Sequence, residues 1–494
     1  MKIRTAADLM GAQTMGLSAE MFDNEIVGFS IDSRSTGAGE IFFALSQEDY
    51  ARAGFNGTFT DAHQYIPQAF GKGAIAAVAR IDRVRSDSGL QAMKDRLLLV
   101  EDAIAALQTL ARRVYEAWAR PVVGITGSAG KTTAKELTAH LLRASGRRVL
   151  KSERNYNNGL GLPLAVLQMV SEGRKPEDFD MAVLEMGMSS PTHEIQRLCK
   201  ITPPDVGVEL LVAPVHLEHL GTIENIAAAK AELIEGMKPD GTAVLNADDK
   251  FVIAMRAKHS GPVITFGIEN PSDVMATDID TSRFDRSRFS LRTPRGEAEA
   301  VLHMPGRHNL INALAASAVA SVFEMSPEEI ADALKSVTPA KMRGEVIDFA
   351  AGFTVVDDSY NSNPRSLLSI VQAIATRDAH AKRRIVVAGE MLELGIDEAR
   401  MHREAGREIA RLGIDVLWGV RGLAREIING AREAGMSDEA TRFFETSEQA
   451  AAAILDEARE GDLILVKGSR GVETDKVVKH LRDHFPVLGA DERE

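Results

Sequence analysis

Hydrophobic positions along the chain recur with two periods, and the two alternate over most of its length. Short runs rich in β-branched residues at 121–126, 147–151, 180–186, 205–212, 242–246 and 262–267 predict strands, with helical stretches between them. Alternation of this kind predicts a parallel sheet covered on both faces. Upstream, 28–32, 41–45 and 74–78 read as strands of a smaller unit. That unit closes on a helix over 103–118, with apolar spacing at Ile104, Leu107, Leu110, Val114 and Trp118. Past residue 270 the pattern becomes residue-by-residue alternation, at 289–292 and 300–304, which predicts antiparallel pairing. Two helices follow, the second opening on Ser326-Pro-Glu-Glu329, a capping box with proline at the first helical position. From Pro339 onward, strands at 354–356, 384–388, 416–419 and 462–467 alternate with helices such as 364–376 and 397–412, a second doubly wound sheet. The prediction is an α/β fold in three domains: a small N-terminal α/β domain (1–118), a central doubly wound, mainly parallel sheet (119–338) and a C-terminal Rossmann-like sheet (339–494).

The first central strand runs into Gly127-Ser128-Ala129-Gly130-Lys131-Thr132-Thr133, after which a helix opens. The glycines permit a tight turn that aims backbone N–H groups at a phosphate chain. The helix adds the positive end of its dipole, Lys131 a point charge, and Thr132 a hydroxyl able to ligate Mg²⁺. The common spacing has a glycine where Ile125 stands, so this is a variant phosphate loop. The plainer reading is an ordinary glycine-rich strand-to-helix turn. Gly-Lys-Thr-Thr after a β-branched strand favours a nucleoside triphosphate site.

Composition narrows the partners. A net charge of −13 argues against nucleic acid or an anionic membrane surface, while leaving room for a basic pocket that takes an acidic small molecule. The lone Cys199 excludes an intramolecular disulfide framework and fits a reducing compartment. The first thirty residues hold no apolar signal region, and no run approaches the roughly 18 to 20 apolar residues that span a bilayer. A cytoplasmic protein without stable membrane insertion is expected.

Ligands of open parallel sheets gather beyond the carboxyl ends of the strands. Glu185 ends such a strand and is placed to hold Mg²⁺, or else is a solvated strand-end carboxylate. His216 follows the next strand on the same rim. The stretch 222–237 is an amphipathic helix capped by Thr222, and Lys230 falls on its apolar stripe with Ile223, Ile226, Ala227, Leu233, Ile234 and Met237. A lysine there snorkels, pairs with an acid, or loses its charge. The sharper reading is a neutral amine that takes up CO₂ and, as a carbamate (N6-carboxylysine), bridges to a second Mg²⁺ beside His216. Asn155, Asn157 and Asn158 offer amides for a peptidic ligand, with turn chemistry as the plainer role. Asp357 to Pro364 ends another strand, and Lys467-Gly-Ser469-Arg470-Gly471 is a candidate anion site.

Together these motifs resemble the Mur ligase family over nearly the whole chain. The resemblance rests on Asp32-Ser-Arg34, the phosphate loop, Asn155 to Asn158, Leu184-Glu-Met-Gly187, His216-Leu-Glu, Ala229-Lys230 and Leu245-Asn-Ala-Asp-Asp249. It continues through Gly306-Arg-His-Asn-Leu-Ile-Asn-Ala313, Lys341-Met-Arg343, Asp357 to Pro364, and Val387 to Gly395 with His402. It implies domains for a UDP-sugar, for ATP and for an incoming amine. By the same resemblance Ser33 and Arg34 contact the uridine end, and 127–133 the ATP phosphates. Thr132 and Glu185 hold one Mg²⁺, and His216 with a carbamylated Lys230 the other. Asn309 and Asn312 face the adenine, and Arg343, Asp358 and Asn361 close over ribose and γ-phosphate. The implied substrate contacts are completed by the asparagine loop and by Lys467, Ser469 and Arg470.

The implied activity joins D-alanyl-D-alanine to a UDP-N-acetylmuramoyl-tripeptide through an acyl phosphate, by a monomer. The run Gly389-Glu-Met-Leu-Glu-Leu-Gly395 favours it over the family member that adds the third amino acid, whose Asn-Pro-Arg motif Asn363-Pro-Arg365 resembles in a different place. A P-loop kinase and a dead binding protein are the rivals of other classes. Three departures stand out: Leu210-Leu211 where the family has a polar pair, Lys230-Ala-Glu for Lys-Gly-Glu, and an altered loop over 48–59.

Overall fold

The computed structural model describes all residues except 56, 154–155, 189–192, 215–219, 376–380 and 489–494. His216 and Asn155, both expected at the site, lie outside the described residues. Three sheets succeed one another along the chain. The first pairs Gly28–Ser30, Glu40–Phe43, Ala76–Arg80 and Leu97–Val100 in parallel, with a short antiparallel edge at Gln13–Thr14. Leu97–Val100, a fully buried apolar run, is a strand the periodicity did not single out.

The central sheet has nine strands. Val149–Lys151, Met181–Glu185, Val122–Thr126, Val206–Glu209, Thr242–Asn246 and Val263–Gly267 lie side by side in parallel, in that spatial order. The phosphate-loop strand Val122–Thr126 is thus flanked by two strands that each end in a glutamate. Val274–Asp280 extends the sheet in parallel, and Ser287–Thr293 and Gly296–Leu302 close it as an antiparallel meander. Apolar residues fill both faces. One face packs against the helices Lys131–Ala144, Arg307–Val322 and Pro327–Lys335. The other packs against Ile223–Gly236 and is continuous with the core under Ala103–Trp118.

This continuity seats the N-terminal unit on the central one. The Trp118 indole N–H donates to the Phe179 carbonyl at 3.0 Å, and Gln108 donates to Gly159 at 2.9 Å. Within the altered 48–59 loop, Tyr50 packs on Phe55 and Phe59 at ring-centroid distances of 4.8 and 5.0 Å. A Cβ on Gly159 would lie 2.8 Å from the Phe55 ring, so this loop reaches the central unit beside the asparagine stretch.

The third sheet orders Glu345–Asp348, Thr354–Asp358, Asp462–Lys467, Arg383–Gly389, Val416–Val420 and Thr441–Phe444, parallel except for its first edge strand. Thr354–Asp358 runs two residues further than the sequence suggests, which carries Asp357 and Asp358 into the sheet. His402 is wholly buried, and its Nε2 accepts the Met391 N–H at 2.9 Å, which pins the loop after Arg383–Gly389.

Candidate active site

The phosphate loop owes its shape to two glycines. Gly127 and Gly130 have φ of 152° and 86°. A Cβ on Gly130 would fall 2.3 Å from Asn312 Oδ1, and one on Gly127 would fall 2.8 Å from Leu210 Cβ. Gly130 caps the helix Lys131–Ala144 with no side chain on its first N–H groups, which leaves those donors to a ligand. Leu210-Leu211 replaces a polar pair, yet the stretch still braces the loop through its backbone. Ser128 N–H donates to the Leu211 carbonyl at 2.8 Å, and Ser128 Oγ bridges the Ala213 carbonyl and N–H at 3.1 and 2.9 Å.

Lys131 folds back onto the Gly127 carbonyl at 2.8 Å. Burial pushes its pKa down; the charges of Glu185 and Glu209 oppose that shift, and Arg343 adds to it. Thr132 Oγ1 donates to Glu185 Oε2 at 2.9 Å, and Asn157 Nδ2 donates to Glu185 Oε1 at 2.9 Å. Glu185 is further fixed through its N–H, which donates to Ser152 Oγ at 3.1 Å, while the buried Lys135 holds the Ser152 carbonyl at 2.6 Å. A hydroxyl and a carboxylate beside an uncapped helix start are hard oxygen donors of the kind Mg²⁺ takes. The glycine cradle and the Thr132–Glu185 pair therefore fit a magnesium nucleotide. Among the described residues, His, Cys, Asp and Glu form no cluster of three that could hold a metal by themselves.

Across the seam, Arg343 reaches Thr132 Oγ1 at 3.4 Å and stacks on the Tyr360 ring, 3.9 Å from its centroid. Arg343 follows Met342, whose φ of 60° turns the chain between the central and C-terminal sheets. Asn309 donates to the Pro305 carbonyl at 2.7 Å, and Asn312 packs directly on Gly130. A cleft of about 220 Å³ lined by Thr133, Leu137, His140, Met304, Pro339 and Arg343 adjoins the cradle.

Two groups of residues separated in the sequence reading come together. Lys467 Nζ forms a buried ion pair with Asp358 at 2.6 Å and donates to the Asn361 carbonyl at 2.9 Å. Ser469 Oγ accepts from the Leu392 N–H at 3.0 Å, and the exposed Arg470 lies 3.3 Å from Asp475. Asn158 Oδ1 accepts from the N–H groups of Leu160 and Gly161 at 3.1 and 2.8 Å, a capping role at the start of the helix Gly161–Leu167. Ser33 donates to Gln68 at 3.1 Å and Arg34 pairs with Asp32 at 2.8 Å, both within the N-terminal unit.

Lys230 is 2% exposed, on the helix face that also buries Ile226, Leu233 and Ile234; Ile223 and Ala227 are only half-buried. Burial pushes its pKa down to about 7, with the Lys131 charge adding to the effect. Its counterpart is Glu209, which the sequence reading passed over. Glu209 is fully buried, and burial pushes its pKa up to about 8 against the pull of Lys230 and Lys131. The expected strand, 205–212, puts Glu209 mid-strand; the observed strand ends at Glu209, beside the phosphate-loop strand, as Glu185 ends the strand on the other side.

An uncapped phosphate loop on a parallel sheet, a carboxylate joined to its threonine, and an arginine reaching that threonine from a second α/β unit define a multidomain enzyme of the magnesium-nucleotide class. The chain belongs to the Mur ligase family: residues 125–320 match the Mur ligase middle domain, and 342–470 the Mur ligase glutamate ligase domain. It is 32% identical to the UDP-N-acetylmuramoyl-tripeptide--D-alanyl-D-alanine ligase of Bacillus subtilis, over 92% of this chain and 93% of that one. Among solved structures it is similar to MurF from Acinetobacter baumannii, with a TM-score of 0.80, 27% identity and 98% of each chain covered. It is also similar to MurF from Thermotoga maritima in complex with ADP, with a TM-score of 0.75, 26% identity, and 94% of this chain and 99% of that one covered.

Proposed function

We propose that this enzyme joins D-alanyl-D-alanine to UDP-N-acetylmuramoyl-tripeptide at the expense of ATP, giving the pentapeptide, ADP and phosphate in peptidoglycan precursor synthesis. The observation that carries it is the convergence of Lys131, Thr132 and Glu185 with Arg343, which crosses from the C-terminal side of the chain. A carboxylate does not accept an amine unaided, so its oxygen first attacks the γ-phosphoryl group and the acyl phosphate then meets the dipeptide amine.

Lys131 and the N–H groups that start its helix neutralise phosphate charge, and Arg343 closes over the same oxygens. Thr132 and Glu185 would hold a Mg²⁺, which would supply Lewis-acid neutralisation of that charge. His216 with a carbamylated Lys230 would hold a second ion; the buried, weakly basic Lys230 amine supports that reading. Closure of the three units keeps water from the acyl phosphate.

In this reading residues 1–118 take the UDP-sugar through Ser33 and Arg34, 119–338 take ATP, and 339–494 take the dipeptide. Asn309 and Asn312 serve the adenine, Asp358 and Asn361 the ribose, and Asn155, Asn157, Lys467, Ser469 and Arg470 the peptide ends. The enzyme acts as a cytoplasmic monomer. No helix among the described residues is long and apolar enough to cross a membrane.

The test is a coupled phosphate assay with tripeptides ending in diaminopimelate or lysine. Release requiring acceptor and dipeptide together, with pentapeptide seen by mass spectrometry, supports the ligase. A phosphorylated product without amide formation refutes it.

A further inference from the structure

Glu209 is 0% exposed, and neither of its carboxyl oxygens has a hydrogen-bond partner among the described residues. Its direct partner across the parallel ladder is Thr126, whose hydroxyl is equally buried and unpaired. The period of two along each strand fixes where both side chains point. Two residues before Glu209, a Cβ on Gly207 would lie 3.1 Å from Met237 Sδ and 3.5 Å from Ile234 Cδ1. Two residues before Thr126, a Cβ on Gly124 would lie 3.2 Å from Leu233 Cδ1. Glu209 and Thr126 therefore both face the helix that carries Lys230. Together they set three unpaired oxygens into a contact otherwise made by Leu233, Ile234 and Met237.

A buried, unpartnered carboxyl weakens a fold, and a hydrophobic residue would fill this strand position better. Its electrostatic neighbours point to its use: Lys230 and Lys131 attract it, and Asp249 repels it. In the proposed reaction both lysines have a role, and Glu209 is the buried acid that attracts both.

We propose that Glu209, with Thr126 beside it, is a positioning residue for the ligation: it forms a polar floor that turns the Lys230 side chain toward the phosphate loop. The inference rests on the reading of Lys230 as a functional side chain. Glu209 itself touches no substrate. Its charge draws the Lys230 nitrogen, and its free oxygens accept from the lysine N–H once that side chain turns, a bond not formed in this structure, so that the nitrogen is presented at the carboxyl end of the sheet instead of sinking among Leu233 and Ile234.

Replacement of Glu209 separates this role from a structural one. Glu209→Val is expected to lower kcat by about 10- to 100-fold, the usual cost of losing a group that orients a ligand residue. KM for ATP and for the UDP-tripeptide should stay within about twofold, and the apparent Tm should hold or rise because the orphaned carboxyl is gone. Glu209→Gln keeps an acceptor and should recover most of the lost kcat. Wild-type kcat in Glu209→Val overturns the proposal, as does a joint fall of Tm and kcat that Glu209→Gln does not repair. Lys230→Ala run in parallel distinguishes the two readings. Full activity of that variant sinks the role of Lys230, and an impaired Glu209→Val beside it would show that the acid does not act through the lysine.

Discussion

Gly130→Ala tests the phosphate cradle at its tightest point. The substitution puts a Cβ where φ is 86° and Asn312 Oδ1 is 2.3 Å away, with Asn312 Cγ and Nδ2 at 3.1 Å. A left-handed backbone at a non-glycine residue costs about 1–2 kcal/mol. The clash adds about 1–3 kcal/mol of the kind seen on overpacking. Asn312 has little room to retreat: it is 3% exposed, on the helix Arg307–Val322 that packs against Lys131–Ala144. The loop therefore gives way, and the N–H groups that face the phosphates move with it. If the clash is lost from nucleotide binding, Kd for ADP rises by roughly 5- to 150-fold.

The assay is calorimetric titration of ADP against the folded variant. Gly146→Ala is the control. Its φ is 85° with nothing within 4 Å of the added Cβ, so it carries backbone strain without a clash and should bind ADP as the wild type does. Asn312→Ala removes the opposing side chain. The double variant, set against Asn312→Ala alone, should then lose no more than about threefold, which marks the coupling as direct. A folded Gly130→Ala protein that binds ADP within about threefold of wild type refutes the argument.

Glu185→Gln should weaken the Mg²⁺ dependence of turnover by about 10- to 100-fold, read from magnesium titrations of phosphate release, because it removes the charge that Thr132 and Asn157 hold in place. Lys230→Ala should cripple turnover and be partly rescued by short carboxylic acids in the same assay; full activity without them removes the carbamate from the mechanism. Lys467→Met strands Asp358 as a buried charge and should cost about 3–5 kcal/mol in denaturant unfolding, most of it regained with Asp358→Asn added. Asp357 supplies a pH test. Burial raises its pKa from 3.8 to about 6, so the folded state holds its proton more tightly than the unfolded one. The benefit is complete below about pH 4 and is lost as pH rises through 6, by up to roughly 3 kcal/mol. Asp357→Asn should therefore raise stability at pH 8 and leave it unchanged at pH 3; equal effects at both would refute the assignment.

The sequence by itself determined the parts whose signal is local. Periodicity found the parallel central strands because a strand buried on both faces must be apolar throughout. Gly127, Gly130 and the lysine and threonines after them declared the cradle because few other residues allow that backbone. Tertiary structure decided what depends on partners far along the chain. Lys467 pairs with Asp358, far back along the chain, a contact that no spacing reveals. Arg343 meets Thr132 only because a turn at Met342 carries the chain back over the sheet. Nothing local marked Glu209, and only packing shows it as a buried, unpaired acid, since the cost of a buried charge is set by the groups that surround it and not by its neighbours in sequence.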